Sequence, residues 1–307
     1  MSIILSTNHL TKSFQGKDVV TDVSMRVNQG QIYGFLGPNG AGKTTVMKML
    51  LNLVKPTSGD IEIFGEPLTQ SSIEYLKRIG SIIENPVFYD KLTALENLEL
   101  HCGYMGFYNK KAIKEALELV HLTNVDHKAI RDFSLGMKQR LGIARSIITK
   151  PELLILDEPI NGLDPVGMKD MRNVFSMLSK EYGMTLLISS HLLGEVELIA
   201  DTIGIIKSGR LIQEIPMDAM RGQNTDYVEL KTPDYKKATL ILENKLHIKN
   251  FKVMDNSVIR IYETSIAQSD ISKMLIMNDV AIESINKKTA SLEEYFLTQI
   301  EEVENYA

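Results

Sequence analysis

The fold of this chain is decided by the stretch Gly37-Pro38-Asn39-Gly40-Ala41-Gly42-Lys43-Thr44. It has the pattern G-x-x-x-x-G-K-T, in which a glycine-rich loop joins a strand to a helix. The apolar run 31–36 before it predicts a buried strand, and apolar residues at helical spacing over 46–53 predict a helix after it. Glycine lets oxygen atoms approach the backbone closely, because no Cβ is in the way. The segment therefore predicts a phosphate-binding loop at a helix N-terminus.

The residues of this loop have distinct expected roles in binding a nucleoside triphosphate. The loop amides are expected to hold the phosphates, while Lys43 reaches the β- and γ-phosphates and the Thr44 hydroxyl binds Mg²⁺. We therefore expect ATP and Mg²⁺ as cofactors. The predicted nucleotide-binding residues of the segment are Gly37, Pro38, Asn39, Gly40, Ala41, Gly42, Lys43, Thr44 and Thr45.

Two carboxylates follow a second apolar run. The strand predicted over 153–156 ends at Asp157 and Glu158. Taken alone, two acids after a core strand are as readily solvated surface groups as functional ones. Downstream of a phosphate-binding loop we expect Asp157 to hold Mg²⁺, usually through water, and Glu158 to polarise an attacking water. Phosphoryl transfer depends mainly on placement and charge neutralisation, and a lysine, a metal and these two acids supply both.

Three further segments stand in order around these two. They are Phe133-Ser134-Leu135-Gly136-Met137-Lys138-Gln139-Arg140, Asn161-Gly162-Leu163-Asp164-Pro165 and Ser189-Ser190-His191. They resemble the signature motif, the D-loop and the switch histidine of the ATP-binding cassette (ABC) family. With the phosphate-binding loop and the carboxylate strand, the resemblance covers roughly residues 3–220.

The resemblance implies roles for further residues. His191 would sense the γ-phosphate, and Asp164 would communicate across a dimer. Ser134 and Gly136 would complete the nucleotide site of an opposite subunit, so that ATP lies between two domains. Phe14 takes the place of the aromatic residue, often tyrosine, that stacks on adenine.

Two departures from the common family pattern are informative. Leu135 stands where most members have the first signature glycine, and Glu84 stands where most have the Q-loop glutamine. Both departures resemble the bacitracin-resistance and lantibiotic-immunity subgroup of ABC exporters. In that interpretation Glu84 is a catalytic or metal-binding residue that links Mg²⁺ or water to the membrane partner; the alternative is a solvated acid at a strand end. The following residues, 86–89, would lie in a groove for a permease helix, or else in ordinary core.

Composition limits the classes of protein to which the chain can belong. Of 307 residues, 44% are hydrophobic, which is enough for one large domain and a small one. No apolar run approaches the roughly 18–20 residues that span a bilayer, and the N-terminus lacks the pattern of a signal peptide. The single cysteine, Cys102, excludes an internal disulfide and fits a reducing cytoplasm. The net charge of −5 argues against a nucleic-acid surface, so we expect no nucleic-acid partner.

The predicted fold class is α/β with two domains. Residues 1–222 are expected to form a P-loop ABC ATPase domain with a RecA-like core, an antiparallel β subdomain and a helical subdomain at about 85–150. Residues 223–307 read β-α-β-β-α-β, which predicts a small α+β ferredoxin-like domain, followed by a terminal amphipathic helix from Ser291. Predicted strands include 19–27, 184–188 and 280–286.

Helix starts carry local signals. Thr93 and Glu96 form a predicted capping box, in which each side chain satisfies a free backbone N–H group of the other residue. Asn109 and Ser134 are predicted N-caps of the two helices that follow.

The favoured function is the ATPase subunit of a drug or peptide exporter. The resemblance implies a separate transmembrane permease, a second ABC ATPase domain in a homo- or heterodimer, and a place at the cytoplasmic face of the cell membrane, with the isolated subunit cytosolic. An importer ATPase is the nearest alternative. Soluble regulatory or translation-linked ABC proteins commonly carry two cassettes, whereas this chain has one phosphate-binding loop. A DNA-maintenance ATPase would need a long coiled coil, for which the segment between Lys43 and Ser134 is too short.

Overall fold

The computed structural model describes residues 2–69, 71–107, 109–123, 125, 127–221, 226–254, 257–263 and 266–289. The chain divides into two compact units, Met1–Met220 and Arg221–Ala307. Within the described residues, every helix is too short or too polar to span a lipid bilayer. The terminal helix predicted from Ser291 lies outside the described residues.

The first unit contains strands and helices, with short 3₁₀ turns at Glu74–Arg78 and Ile130–Asp132. Its elements are β1 (Ile3–Phe14), β2 (Lys17–Val23), β3 (Arg26–Asn28), β4 (Ile32–Leu36), α1 (Lys43–Leu50), β5 (Ser58–Ile63), β6 (Glu66–Pro67), β7 (Ile79–Ile82), α2 (Ala94–Tyr104), α3 (Lys110–Leu119), α4 (Leu135–Ile147), β8 (Leu153–Asp157), α5 (Pro165–Lys180), β9 (Thr185–Ser190), α6 (Leu193–Glu197), β10 (Thr202–Lys207), β11 (Arg210–Pro216) and, at the unit boundary, α7 (Met217–Arg221).

A largely parallel sheet forms the centre of the first unit. Its described strands run β11-β10-β4-β9-β8-β7, and β11 alone among them is antiparallel to its neighbour. Every residue of β4, β8 and β9 is buried, as expected for parallel strands covered on both faces. Leu36 pairs with Ser190, and Ser189 pairs with Asp157. This register brings the phosphate-binding loop and the acidic strand end to one edge of the sheet, where α/β proteins bind ligands.

The end of β9 differs from the prediction. The strand predicted over 184–188 continues to Ser190. Ser189 therefore lies in the ladder beside Asp157, not in the loop that carries His191. The extension follows from pairing with β4 and β8 on either side, which the segment's own sequence does not reveal.

An antiparallel sheet packs beside this centre. Its described order is β2-β1-β5-β6, with β3 also paired to β1. The single strand predicted over 19–27 is wrong, because the chain forms β2 and β3 with a break between them. Asp22, the residue before the last of β2, has a left-handed φ of 59°. The Thr7 hydroxyl bridges the break, donating to the Val23 carbonyl and accepting from the Met25 amide.

The predicted helix caps are confirmed. Thr93 accepts a hydrogen bond from the Glu96 amide, and the Glu96 carboxylate accepts from the Thr93 amide. Asn109 caps α3, and Ser134 caps α4 by accepting from the Met137 amide at 3.2 Å. The apolar faces of α2, α3 and α4 share one core, to which Leu98, Ile113 and Leu141 belong.

The second unit contains β12 (Asp226–Lys231), α8 (Tyr235–Asn244), β13 (Phe251–Val253), β14 (Val258–Ile261), α9 (Gln268–Ile276) and β15 (Ser284–Thr289). Its described strands run β13-β14-β12-β15, all antiparallel to their neighbours, over a core that includes Leu230 and Leu242. This is the predicted β-α-β-β-α-β order of a ferredoxin-like sandwich. The strand predicted over 280–286 begins only at Ser284, because the Val280 amide donates to the Leu275 carbonyl and closes α9.

Candidate functional site

The glycine-rich loop joins β4 to α1 and leaves the helix N-terminus open. Gly42 is the N-cap of α1, with φ 104°, and as a glycine it has no side chain with which to cap the first turn. A Cβ at Gly37 would lie 2.2 Å from the Ile206 carbonyl oxygen, so only glycine fits. The loop encloses a cavity of about 240 Å³, lined by Val19, residues 39–45 and Glu158. Uncapped first-turn amides facing a cavity suit a phosphate group.

Lys43 is buried within this loop. Its Nζ donates to the Gly37 carbonyl at 2.6 Å and to the Pro38 carbonyl at 3.3 Å. It also lies 3.2 Å from Glu158 Oε1. Only 5% of Lys43 is exposed, and a buried ammonium group requires such partners. The lysine is thus held at the mouth of the loop, where phosphate oxygens would compete for it.

Asp157 and Thr44 present neighbouring oxygen atoms at the start of α1. The Thr44 hydroxyl donates to Asp157 Oδ2 at 2.7 Å, and the Ser189 hydroxyl donates to Oδ1 at 2.6 Å. Within the described residues no group of three or more His, Cys, Asp or Glu side chains is placed to bind a metal. Mg²⁺ is commonly bound by one or two protein oxygens together with phosphates and water. The pair therefore fits Mg²⁺ that arrives with a nucleotide.

Glu158 connects Lys43 to His191. Its Oε2 lies 2.8 Å from His191 Nδ1, while the buried Oε1 has the Lys43 charge contact but no hydrogen-bond partner among the described residues. The Glu158 side chain also lines the cavity of the loop. The Glu158 backbone is left-handed, with φ 49°, and its amide donates to the Ser189 hydroxyl. Such backbone strain in a non-glycine residue is typical of functional positions.

Glu84 lies at the same edge but has a different partner. Its Oε1 is 2.6 Å from Lys48 Nζ on α1, and its side chain is 62% exposed. Its φ of 58° is left-handed, as in Glu158. Glu84, Asp157 and Glu158 line a cavity of about 300 Å³. The structure thus brings Glu84 to the carboxylate cavity, while its carboxylate is ion-paired with Lys48 and not placed beside Thr44.

The signature and D-loop segments contact each other. A Cβ at Gly162 would lie 2.6 Å from Leu135 Cδ2, and one at Gly136 would lie 3.1 Å from Leu163 Cδ2. Leu135, which replaces the usual glycine, is therefore packed against the D-loop, although 54% of it stays exposed. The predicted interface residue Asp164 is the N-cap of α5 and accepts from the Gly167 amide at 3.0 Å.

The predicted adenine-stacking residue, Phe14, is the last residue of β1. It is 45% exposed. The Lys12 ammonium group lies 4.8 Å from its ring centroid, a cation–π distance. The ring is thus at the surface and accessible to a planar ligand.

Residues 86–89, which follow Glu84, are predicted to lie either in a groove for a permease helix or in ordinary core, and the structure places some of them in each setting. Phe88 packs against the core, with the Arg145 guanidinium 4.7 Å from its ring centroid. Val87 and Tyr89 are exposed, by 80% and 56% respectively. Phe88 is therefore part of the ordinary core, whereas Val87 and Tyr89 are exposed and could contact a partner protein.

Two residues of the site, Ser189 and Lys48, have no role that the sequence predicts. Ser189 contacts both carboxylate residues, and Lys48 pairs with Glu84. Neither contact has a signal within its own segment, because each depends on pairing or packing between elements distant in sequence.

The chain is similar to ATP-binding proteins of ABC transporters, both in sequence and in structure. Residues 20–161 match the family model described as ABC transporter. An uncharacterised ABC transporter ATP-binding protein of Bacillus subtilis (strain 168), YcbN, is 62% identical over 98% of both chains. The bacitracin transport ATP-binding protein BcrA of Bacillus licheniformis is 47% identical over 98% of both chains. A solved ATP-binding subunit of an ABC transporter superposes with a TM-score of 0.65 at 30% identity, covering 72% of this chain and 92% of that one.

Proposed function

This chain belongs to the ATP-binding subunits of ABC transporters, and we propose that it hydrolyses ATP to drive a separate permease that exports an antimicrobial peptide. The observation that carries the proposal is the 47% identity to a bacitracin transport ATP-binding protein along 98% of both chains. Glu84 and Leu135 depart from the common family pattern in the way that the bacitracin and lantibiotic exporter subgroup does. They therefore also support export. The subunit would bind the permease at the inner face of the membrane, where ATP is supplied.

The geometry of the site supports a division of roles in hydrolysis. The loop amides and Lys43 hold the phosphates, and Thr44 with Asp157 would hold Mg²⁺, which neutralises phosphate charge when bound. Glu158 is the base that orients and polarises water in this proposal, since its side chain lines both the cavity of the loop and the carboxylate cavity. His191 lies 2.8 Å from the other Glu158 oxygen. It would fix that carboxylate and sense the γ-phosphate when a nucleotide is bound.

The second half of the site comes from another ABC ATPase domain. Ser134 caps α4, so the helix directs its N-terminal amides outward beside the half-exposed Leu135. In the proposed dimer these amides meet the γ-phosphate bound by the opposite subunit. Phe14 stacks on the adenine of its own subunit, and Asp164 lies at the dimer contact.

The surface around residues 86–89 is the proposed contact with the permease. Val87, Tyr89 and Tyr104 are exposed by 80%, 56% and 76%. A nearby groove of about 360 Å³ is lined by Leu53, Met105 and other residues. Exposed apolar and aromatic side chains close together are typical of a protein-binding surface. Glu84 adjoins both this surface and the carboxylate cavity, which suits a coupling role.

The proposal is tested in a bacitracin-sensitive host. The chain is expressed together with the permease with which it is proposed to act, and susceptibility to bacitracin and to lantibiotics is measured. The active pair should raise resistance to one of these peptides, and Glu158→Gln, the hydrolysis-deficient control, should not. Unchanged susceptibility to all peptides, with substrate accumulating inside cells, would make the chain an importer subunit.

A further inference from the structure

Ser189 makes two hydrogen bonds that no expected role of the site accounts for. It lies on β9, directly beside Asp157 of β8, and is completely buried. Its hydroxyl donates to Asp157 Oδ1 at 2.6 Å and accepts from the Glu158 amide at 2.9 Å. A single hydroxyl thus contacts both residues of the carboxylate pair.

We propose that Ser189 is a positioning residue that sets the orientation of Asp157 and the backbone of Glu158 for hydrolysis. The inference rests on the Mg·ATP chemistry proposed above. Ser189 touches neither nucleotide nor water in this scheme, and it acts through the two acids.

The effect on Asp157 follows from how its oxygens are used. Oδ1 is bonded to Ser189 and Oδ2 to Thr44, so the plane of the carboxylate is fixed from both sides. This directs Oδ2, the oxygen beside the Thr44 hydroxyl, toward the proposed Mg²⁺ position. Without the Ser189 hydroxyl, Oδ1 would be buried with no donor, and the carboxylate could rotate. Groups that orient a metal-binding carboxylate typically change metal affinity or activity by about 10–100-fold.

The effect on Glu158 follows from its backbone. A φ of 49° is uncommon for a residue with a side chain. The hydrogen bond from its amide to Ser189 stabilises this conformation. The conformation in turn lets one carboxylate lie near both Lys43 and His191. Ser189 therefore supports the water-polarising position as well as the metal position.

The test measures Mg²⁺ dependence together with turnover. Full-length wild type, Ser189→Ala, Ser189→Cys and Ser189→Thr are compared in binding of a fluorescent ATP analogue over a Mg²⁺ titration, and in phosphate release. Ser179→Ala is the matched control, because Ser179 is also buried and donates to a carbonyl, that of Gly30, outside the site.

Ser189→Ala and Ser189→Cys should raise the half-saturating Mg²⁺ concentration about tenfold or more and lower kcat. Binding of the analogue without Mg²⁺ should stay at the wild-type level, and Ser189→Thr, which keeps a hydroxyl, should restore the Mg²⁺ dependence. Ser189→Cys replaces the hydroxyl by a slightly larger thiol that hydrogen-bonds only weakly, and it serves if Ser189→Ala does not fold.

A folded Ser189→Cys with wild-type Mg²⁺ dependence would overturn the inference. So would an equal change in Ser179→Ala, since the effect would then come from losing any buried hydroxyl. Failure of the wild type to hydrolyse ATP with Mg²⁺ would instead overturn the proposed function, so the two failures are distinguishable.

Discussion

At the scale of the residue, Glu158 combines an unusual backbone conformation with two charged or titratable neighbours. It holds a left-handed backbone, contacts the buried Lys43 ammonium group with one oxygen and meets His191 with the other. The motif predicts the identity of this acid and its neighbour Asp157, because both immediately follow a core strand. It does not predict the contacts to Lys43 and His191, since these depend on how three strands are placed side by side.

Replacing Glu158 by glutamine should separate binding from hydrolysis. The amide keeps the shape of the side chain but polarises water poorly, so turnover should fall on the order of 10²–10³-fold. Binding of Mg·ATP should be retained, as measured with a fluorescent analogue. Glu152→Gln is the control, because Glu152 pairs with Arg78 outside the site. Phosphate release near the wild-type rate in Glu158→Gln would show that Glu158 does not polarise the attacking water.

Replacing Glu84 by glutamine should reduce transport more than hydrolysis. The change removes a charge but keeps an oxygen, and the exposed ion pair with Lys48 contributes only about 0–1 kcal/mol to stability. ATP binding should therefore stay near wild type, while resistance in cells falls further than ATPase activity.

Lys48→Met tests whether the loss of resistance in Glu84→Gln comes from the Glu84 carboxylate or from its ion pair with Lys48. The variant removes the ion pair and leaves the carboxylate. We expect Lys48→Met to keep more resistance than Glu84→Gln. Equal losses of ATPase activity and resistance in Glu84→Gln would make Glu84 a catalytic residue, and no loss of either would leave it a solvated acid.

At the scale of the element, local signals predict helix starts well and strand ends poorly. The caps at Thr93, Asn109 and Ser134 involve residues two to three positions apart, so the sequence contains both partners. The end of β9 at Ser190 and the late start of β15 at Ser284 depend on neighbouring strands and on the closure of α9. The contacts of Ser189 likewise depend on pairing between strands, so its own segment does not predict them.

Removing the α2 cap should destabilise the first unit. Thr93→Ala deletes the oxygen that accepts from the Glu96 amide, and loss of such a cap typically costs about 0.5–2 kcal/mol. Urea unfolding should report a lower free energy of unfolding, while Thr93→Ser, which keeps a hydroxyl, should remain near wild type. A Thr93→Ala protein as stable as wild type would show that the cap is dispensable.

The same cap should make stability depend on pH. Hydrogen bonds from the backbone and side chain of Thr93 lower the pKa of Glu96 below its usual value. A lowered folded-state pKa gives stability that is present above the usual carboxylate range and is lost as pH falls through the lowered value. The difference in stability between wild type and Glu96→Gln should therefore shrink in acid. A difference that stays constant from neutral to acidic pH would contradict the assignment.

At the scale of the whole molecule, the fold was predictable as an ordered set of motifs. The parallel sheet carries the loop after β4, the acids at the end of β8 and the histidine after β9 to one edge. Their order along the chain is typical of the ABC family, and the solved relative supports the same fold. The contacts that the sequence did not reveal, Lys48 with Glu84 and Leu135 with Gly162, join separate motifs across this edge.

Dimerisation should depend on ATP. Because Ser134 and Gly136 are proposed to act on the nucleotide of the opposite subunit, Glu158→Gln with Mg·ATP should form a dimer, and protein without nucleotide should be mostly monomeric. Light scattering coupled to size exclusion measures both masses. Glu158→Gln that remains monomeric with Mg·ATP at high protein concentration would mean that a different ATPase supplies the second half.

The packing of Leu135 against the D-loop also has a consequence for descent. Gly162 has φ 78°, and a Cβ there would meet Leu135 at 2.6 Å, so a larger residue at 162 is disfavoured on both counts. Leucine at 135 adds to the preference for glycine at 162 that the backbone already imposes, since the half-exposed Leu135 side chain would have to move aside for any Cβ there. We therefore expect related chains that have leucine at position 135 to have glycine at position 162 as well.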